Sequence, residues 1–345
     1  MFTPADIGEG MKKIKVLVLF DSAGTPPADQ NFSEAFKTED WSTEASICRA
    51  LEELGHEVQT LGIYDDVGLV LEKINENRPD VVFNLAEIFM GKAHLDKNIP
   101  ALLELLDIPY TGCGPAGLMI CNDKVITKKI LKYHRIKIPG FNIFRKGKKI
   151  RLPKRLNFPI IVKPVREEAS TGISQASFVD NEKDLAERVN FIHEKFNMDA
   201  MAEEYIDGRE LYMSVMGRER LQTFPIREMK FLEVSDDEPK LATYKAKWDN
   251  KYRKKWGIKN EFAGRLPEGV QERIVSMCKR AYKALHIDGY GRFDLRLNPE
   301  GEVFILEANA NPSLDKEDEF AESVQRAGTN YNNLVQSILN QALSR

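Results

Sequence analysis

The stretch GRFDLRLNPEGEVFILEANANPS, residues 291–313, places two apolar segments on either side of Asn298-Pro299-Glu300-Gly301. Those four residues have the composition of a turn, so the stretch reads as a β-hairpin. Four polar side chains, Arg292, Asp294, Glu307 and Asn309, interrupt its strands where a core asks for Val or Leu. With the turn at 298–301, Leu297 faces Glu302, Arg292 faces Glu307 and Asp294 faces Ile305. Side chains alternate across a strand. The four polar groups then share one face, and Phe293, Leu295, Phe304 and Leu306 share the other; a loop one residue longer or shorter breaks the arrangement. Acidic and amide oxygens grouped with an arginine suit magnesium and phosphate, because hard oxygens hold an ion that shares phosphate oxygens with a substrate. The alternative is a solvated sheet face with surface ion pairs. Against it, Asn309-Ala310-Asn311-Pro312 continues the polar ledge instead of ending it.

The 345 residues can bury a large core and divide into two or three domains. The composition, 42% hydrophobic and 30% charged, is that of an ordinary globular protein, and a formal net charge of −3 gives no global attraction to nucleic acid or anionic lipid. No apolar run approaches the roughly 20 residues that cross a bilayer, and the N-terminus lacks the basic-then-apolar plan of a signal peptide. A cytoplasmic protein without nucleic-acid or membrane partners is expected. Cys48, Cys113, Cys121 and Cys278 form no C-x-x-C pair and read as reduced, partly buried thiols. The five histidines are dispersed, with no metal or triad spacing.

Outward from the hairpin, the first third of the chain alternates strand and helix. KIKVLVLF (13–20), HEVQTLGI and DVVFNL (80–85) are β-rich runs, and STEASICRALEELG, DVGLVLEKINENR and NIPALLELLDI are helical. That alternation predicts a parallel sheet with helices on both faces. No G-x-G-x-x-G follows the first strand, and no G-x-x-x-x-G-K-[ST] loop is present. From about Lys124 the pattern becomes α+β: a helix, short strands including FPIIVKPV, a helix from 182, and AMAEEYIDGRELYMSVMG. The expected division is 1–122, an N-terminal α/β substrate domain, then 123–213 and 214–345 as two lobes, the last bearing the metal site and a terminal helix.

Lysines supply the other half of a phosphate site. Lys163 ends an apolar strand, where a buried ammonium is costly unless paired with anions; a strand-end lysine reaching water is the plainer reading. Lys124 opens a helix, where a solvated face is the plainer reading. REEASTGIS (166–174), with Ser170 in it, is a small-residue loop whose amides could wrap phosphates, or an ordinary turn. KAKWDNKYRKKW (245–256) interleaves cations and aromatics. Nucleic-acid binding is one reading, a mobile basic loop closing over a triphosphate is more economical, and a solvated loop is the plain alternative for Lys254-Lys255.

Seven collinear segments, IPYTGCG, NDKVITKKIL, FPIIVKPVREEASTGIS, EEYIDGREL, YKAKW, GYGRFDLRL and LEANANPS, resemble the ATP-grasp superfamily and its D-alanine–D-alanine ligase-like branch over nearly the whole chain. The resemblance implies an ATP-grasp fold, α/β and α+β, with an N-terminal parallel-sheet domain and ATP held between two lobes. It implies that Lys124 and Lys163 contact phosphates and that Glu203 recognises the adenine amine. Tyr205 and Ile206 complete the adenine slot, Glu210 holds the ribose, and Lys247 reaches the γ-phosphate. Asp294, Glu307 and Asn309 then bind two Mg2+ ions, or Mn2+, with Arg292 stabilising the transition state. The implied reaction phosphorylates a carboxylate and lets an amine displace the phosphate; a homodimer is the family's habit.

Where such ligases orient D-alanine, this chain differs. Ala169 stands at a serine position, Trp248 at a tyrosine position, and Glu87 near a histidine's place. Ser313 and Asp318-Glu319 stand where a glycine and a serine-leucine pair hold the second carboxylate. Glu87, Trp248, Asn311, Ser313 and Asp318 are accordingly the expected substrate residues. The expectation is a carboxylate–amine ligase of altered specificity acting on small molecules, with a phosphotransferase or a non-catalytic nucleotide-binding regulator as alternatives.

Overall fold

A computed structural model describes residues 13–154, 156–166, 171–235 and 238–345. Its strands are β1 (Lys15–Asp21), β2 (Glu57–Ile63), β3 (Val81–Asn84), β4 (Phe141–Phe144), β5 (Ile160–Pro164), β6 (Phe178–Val179), β7 (Ala200–Glu204), β8 (Arg209–Gly217), β9 (Gln222–Thr223), β10 (Arg227–Phe231), β11 (Ile258–Phe262), β12 (Gly289–Leu297) and β13 (Val303–Ala310). They make three sheets. β2-β1-β3 is parallel, β4-β7-β5-β6 is antiparallel, and β11-β10-β8-β12-β13, with β9 on β8, is a second antiparallel sheet.

The parallel sheet forms as the alternation predicts, and β1 shows why. Val16, Val18 and Phe20 enter one apolar cluster, whereas Leu17 and Leu19 enter another with Val70, Ile74, Ile99 and Leu103 from the helices Gly68–Glu76 and Asn98–Leu105. A strand buried on both faces needs apolar residues at every position, because its successive side chains point oppositely. The first cluster is closed by the helix Ser42–Glu53 and by Tyr331–Leu343, the last helix of the chain, through Leu334, Val335, Ile338 and Leu339. The terminal helix, grouped by sequence with the third region, therefore covers the first sheet.

The chain leaves one antiparallel sheet at Glu204 and enters the other at Arg209, so the expected boundary at 213/214 falls inside β8. The turn Tyr205–Gly208 between them hinges on Gly208, whose φ of +126° and approach to the Leu297 carbonyl exclude any side chain. A helix over Val270–Ala284 backs β8, β12 and β13, burying Val270, Ile274, Cys278, Ala281 and Tyr282. All four cysteines are free and buried. No helix among the described residues is long and apolar enough to cross a membrane.

Two expectations need correction. The segment 245–256 is not a loop: Tyr244–Trp248 and Asn250–Lys255 are short helices, N-capped by Thr243 and Asp249. Their Ala246 is buried in a cluster with Tyr212, Met229 and Ile258, against which Tyr252 and Trp256 pack. The hairpin register also differs. Its loop is one residue longer, with Leu297 opposite Val303, which alone would put Glu307 and Asn309 on the face opposite Asp294 and Arg292. A β-bulge then absorbs one residue at Leu306, since Leu295 pairs with Ile305 and Asp294 with Glu307. Arg292 consequently faces Asn309, and the four polar side chains share a face after all. On the core face the partners are Phe293 with Ala308 and Leu295 with Ile305, so neither Phe304 nor Leu306 belongs there.

Candidate active site

The site is built where the two antiparallel sheets face each other. From the larger sheet, Asp294 on β12 is 4% exposed and accepts Arg292 Nε at 2.9 Å and Arg292 Nη2 at 3.2 Å. Asn309 Nδ2 donates to Asp294 Oδ1 at 3.1 Å, and Lys247 Nζ stands 3.8 Å from Asp294 Oδ2. Glu307 forms an ion pair with Lys124, the first residue of the helix Lys124–Tyr133. Asp123 caps that helix by accepting Val125 and Ile126 N–H, each at 3.0 Å, and so fixes the direction in which Lys124 leaves it. Burial alone would raise the Glu307 pKa, but Lys124, Lys163 and Lys247 outweigh it and hold the carboxyl down at about 2.

The smaller sheet contributes Lys163 from β5 and Glu203 from β7. Lys163 and Lys128 each form an ion pair with Glu203, one on each carboxylate oxygen. Desolvation opposes the charge on Glu203, yet the two ammoniums prevail and keep its pKa low. Lys128 went unnoticed in the sequence, although it lies four residues from Lys124 and so on the same helix face. Glu210, 4% exposed, accepts Arg296 Nη2 at 2.7 Å and the Tyr212 hydroxyl at 3.1 Å. Tyr205 donates its backbone N–H to the Pro159 carbonyl at 2.9 Å, and its hydroxyl donates to Asp207 at 3.2 Å.

Two cavities open from this constellation. The first is lined by Lys163, Glu203, Tyr205, Ile206, Glu210, Lys247, Asp294 and Glu307, together with apolar Ile161, Ile173, Leu241 and Leu306. A lining that combines several charged groups with apolar side chains suits a nucleotide. The second is lined by Glu87, Asp96, Trp248, Arg292, Asn309, Asn311, Ser313, Asp318 and Glu319, and it too reaches Lys247 and Glu307. All five expected substrate residues lie on this second wall. Ser170 and Ala169 fall outside the described residues.

The second cavity is acidic on balance, because Glu87, Asp96, Glu307, Asp318 and Glu319 outnumber Lys247, Arg253 and Arg292 on its wall. Glu319 accepts Arg292 Nη1 at 3.2 Å and Asn260 Nδ2 at 2.7 Å, so the buried guanidinium already carries two protein carboxylates. Although burial disfavours its charged form, Asp294 and Glu319 raise the Arg292 pKa further. Burial raises the pKa of Asp318 and of Asp96. Glu87 and Ile88 donate backbone N–H to Asp21 Oδ1 at 2.7 and 3.2 Å, which pins the Glu87 segment to the end of β1. Asn311, at φ +52°, accepts Cys113 N–H at 2.7 Å and thereby ties the Thr111–Gly114 turn to β13.

The donor set fits a magnesium ion shared with phosphate. Two carboxylates and an amide supply hard oxygens, and Lys124, Lys247 and Arg292 already mark where positive charge is favoured. Among the described residues no three His, Cys, Asp or Glu side chains converge on one point. An ion here would complete its shell with ligand oxygens, which is magnesium's usual habit.

This pairing of sheets around a cation-lined cleft is the ATP-grasp architecture. Residues 130–340 match the family described as "D-ala D-ala ligase C-terminus", and the chain belongs to it, as an ATP-grasp protein of the D-alanine–D-alanine ligase-like branch. It is 32% identical over 307 residues to "Uncharacterized protein y4sG" of Sinorhizobium fredii, covering 87% of each chain. It is 30% identical over 304 residues to a D-alanine–D-alanine ligase of Desulforudis audaxviator, covering 87% of this chain and 92% of that one. The solved D-alanine–D-alanine ligase of Bacillus anthracis complexed with ATP superposes with a TM-score of 0.74 at 21% identity, over 96% of this chain and 98% of the other.

Proposed function

We propose that the protein is an ATP-dependent ligase that joins a small-molecule carboxylate to an amine through an acylphosphate, with a specificity other than D-alanine for D-alanine. The carrying observation is that two cavities, one suited to nucleotide and one acidic, meet at Lys247 and Glu307. In this reading Lys124, Lys163 and Lys247 hold the phosphates of substrate ATP, and Glu210 and Glu203 line the nucleoside end. Asp294, Glu307 and Asn309 would hold magnesium, which when bound neutralises phosphate charge. A carboxylate oxygen of the first substrate, placed in the second cavity, forms a bond to the terminal phosphorus as the bond to ADP breaks. The amine of the second substrate then forms the C–N bond, loses a proton and expels phosphate. Preorganised cations around transferring phosphate are sufficient for such chemistry without a protein nucleophile.

The acidic second cavity supports an amine substrate that is cationic or lacks a free carboxylate at the Asp318 end. A carboxylate there would meet Asp318 and Glu319 and find Arg292 already paired, and like-charge contact is an effective means of rejection. The test is phosphate release and mass spectrometry with ATP, magnesium, and amino acids and amines supplied singly and in pairs. D-alanine alone should release no phosphate, and an amine without a free carboxylate should support release with a suitable acid. Efficient D-alanyl-D-alanine formation overturns the altered specificity, and a phosphorylated product that needs no amine would favour a phosphotransferase.

A further inference from the structure

The nucleotide reading uses Lys124 and Lys163 but assigns nothing to Lys128, which is 2% exposed and lies deeper than either. Its ammonium makes two contacts, one with each antiparallel sheet. One is the ion pair with Glu203 on β7, which lines the first cavity. The other is a hydrogen bond at 3.1 Å to the backbone carbonyl of Leu306. Leu306 is the residue taken up by the bulge, and the next residue is Glu307. A bulge breaks the ladder and leaves a carbonyl that needs another donor; Lys128 is that donor.

Stability gives a poor reason for such a lysine. A buried ion pair returns little over well-packed apolar residues of the same volume, because desolvation cancels most of the attraction. Its helix already buries Val125 and Leu131, and an apolar residue at 128 would extend that pattern. What an apolar residue cannot do is hold a carboxylate of one sheet and a carbonyl of the other at once. Lys163 sits on the second oxygen of Glu203, so loss of Lys128 would leave the carboxylate to Lys163 and draw that ammonium from phosphate toward Glu203.

We propose that Lys128 is a positioning residue that couples the nucleotide end of the site to the metal end, by linking Glu203 to the Leu306 bulge that seats Glu307. This rests on the ATP and magnesium reading of the cleft. It predicts an energetic link between two side chains that do not touch. Neutralising Glu203 removes the counter-charge that holds Lys128 under the bulge, so magnesium affinity should suffer even though Glu203 binds no ion.

The test is a mutant cycle read by calorimetric ATP binding over a magnesium series, with the full-length chain. Glu203→Gln should raise the half-saturating magnesium concentration by about fivefold when Lys128 is present, and by less than about twofold in the Lys128→Met background, an interaction of the size seen between coupled residues. If Lys128→Met gives no cooperative thermal transition, deletion of Leu306 replaces it. That deletion leaves Leu295 opposite Ile305 and Asp294 opposite Glu307 while removing the acceptor carbonyl, and the same loss of coupling is expected. An equal Glu203→Gln shift in every background, or none in any, overturns the proposal. Failure of the unmodified protein to bind ATP at any magnesium concentration would instead overturn the nucleotide reading on which it stands.

Discussion

At the level of single residues, charge pairing decides what each group can do. Glu307 is the carboxylate on which three lysines converge, and its low pKa keeps it ionised throughout the physiological range. Glu307→Gln keeps its shape and removes the charge, so turnover should fall at least about a hundredfold, the scale of losing one preorganised electrostatic group. Phosphate release near the unmodified rate from a folded variant would remove Glu307 from the metal site. Asp318 is the opposite case: burial raises its pKa, so its ionisation works against folding. For an acid whose folded pKa lies above its unfolded one, the penalty is fully present above the folded pKa and disappears as pH falls below the unfolded value, about 3.9. Asp318→Asn should therefore raise Tm at pH 7, and the gain should vanish as pH is lowered through the ordinary aspartate range; a gain that ignores pH would assign the effect to packing. Asp294, Glu307 and Lys163 stood out because each is a costly residue in an apolar run, whereas Lys124 stood out only through the family resemblance. Lys128 and Arg296 did not, since their partners lie 75 and 86 residues away in Glu203 and Glu210, and the pairing of Glu319 with Arg292, 27 residues away, was equally hidden.

At the level of elements, the pair of helices over Tyr244–Lys255 replaces the expected loop, and the reason is local. Thr243 and Asp249 each accept an N–H three residues on, at 3.2 and 3.0 Å, and Arg253 Nη1 donates back to the Ala246 carbonyl at 2.6 Å. Both caps stand in the sequence as Thr and Asp ahead of helix-forming residues, but the surrounding lysines drew attention to charge. These helices carry Lys247 to the junction of the two cavities while Lys251, Lys254 and Lys255 remain exposed. Trypsin should cut at those exposed lysines, and ATP with magnesium should slow the cut by fixing Lys247; equal cleavage with and without nucleotide would deny these helices a role in covering ATP. The hairpin teaches a different lesson. Its polar face was readable from alternation, but its register was not, because a bulge at an ordinary leucine has no local signature. Two departures, a longer loop and an extra residue, cancel, and only the strand pairing shows both.

At the level of the whole molecule, the three sheets depend on segments far apart in sequence. Arg345 stacks on Tyr110, 3.8 Å from its ring, donates to the Tyr110 and Gly112 carbonyls and reaches Asp288 at 2.5 Å, which joins the end of the last helix to the turn tied by Asn311. The fold class was legible from strand and helix alternation, yet the return of the last helix to the first sheet was not, since an amphipathic helix does not state which surface it covers. That return has a consequence for synthesis. Val16, Val18 and Phe20 leave the ribosome long before Leu334, Val335 and Ile338, which help to cover them. At the usual pace of translation, about 5–20 residues per second, the nascent chain carries that apolar face, covered only in part by the helix Ser42–Glu53, for roughly 15–60 s. A chain stopped at residue 330 should accordingly accumulate as insoluble protein or remain bound to chaperones, whereas soluble, cooperatively folding 1–330 would show that the first sheet needs no late cover. The strand Lys15–Asp21 is born waiting for the helix Tyr331–Leu343.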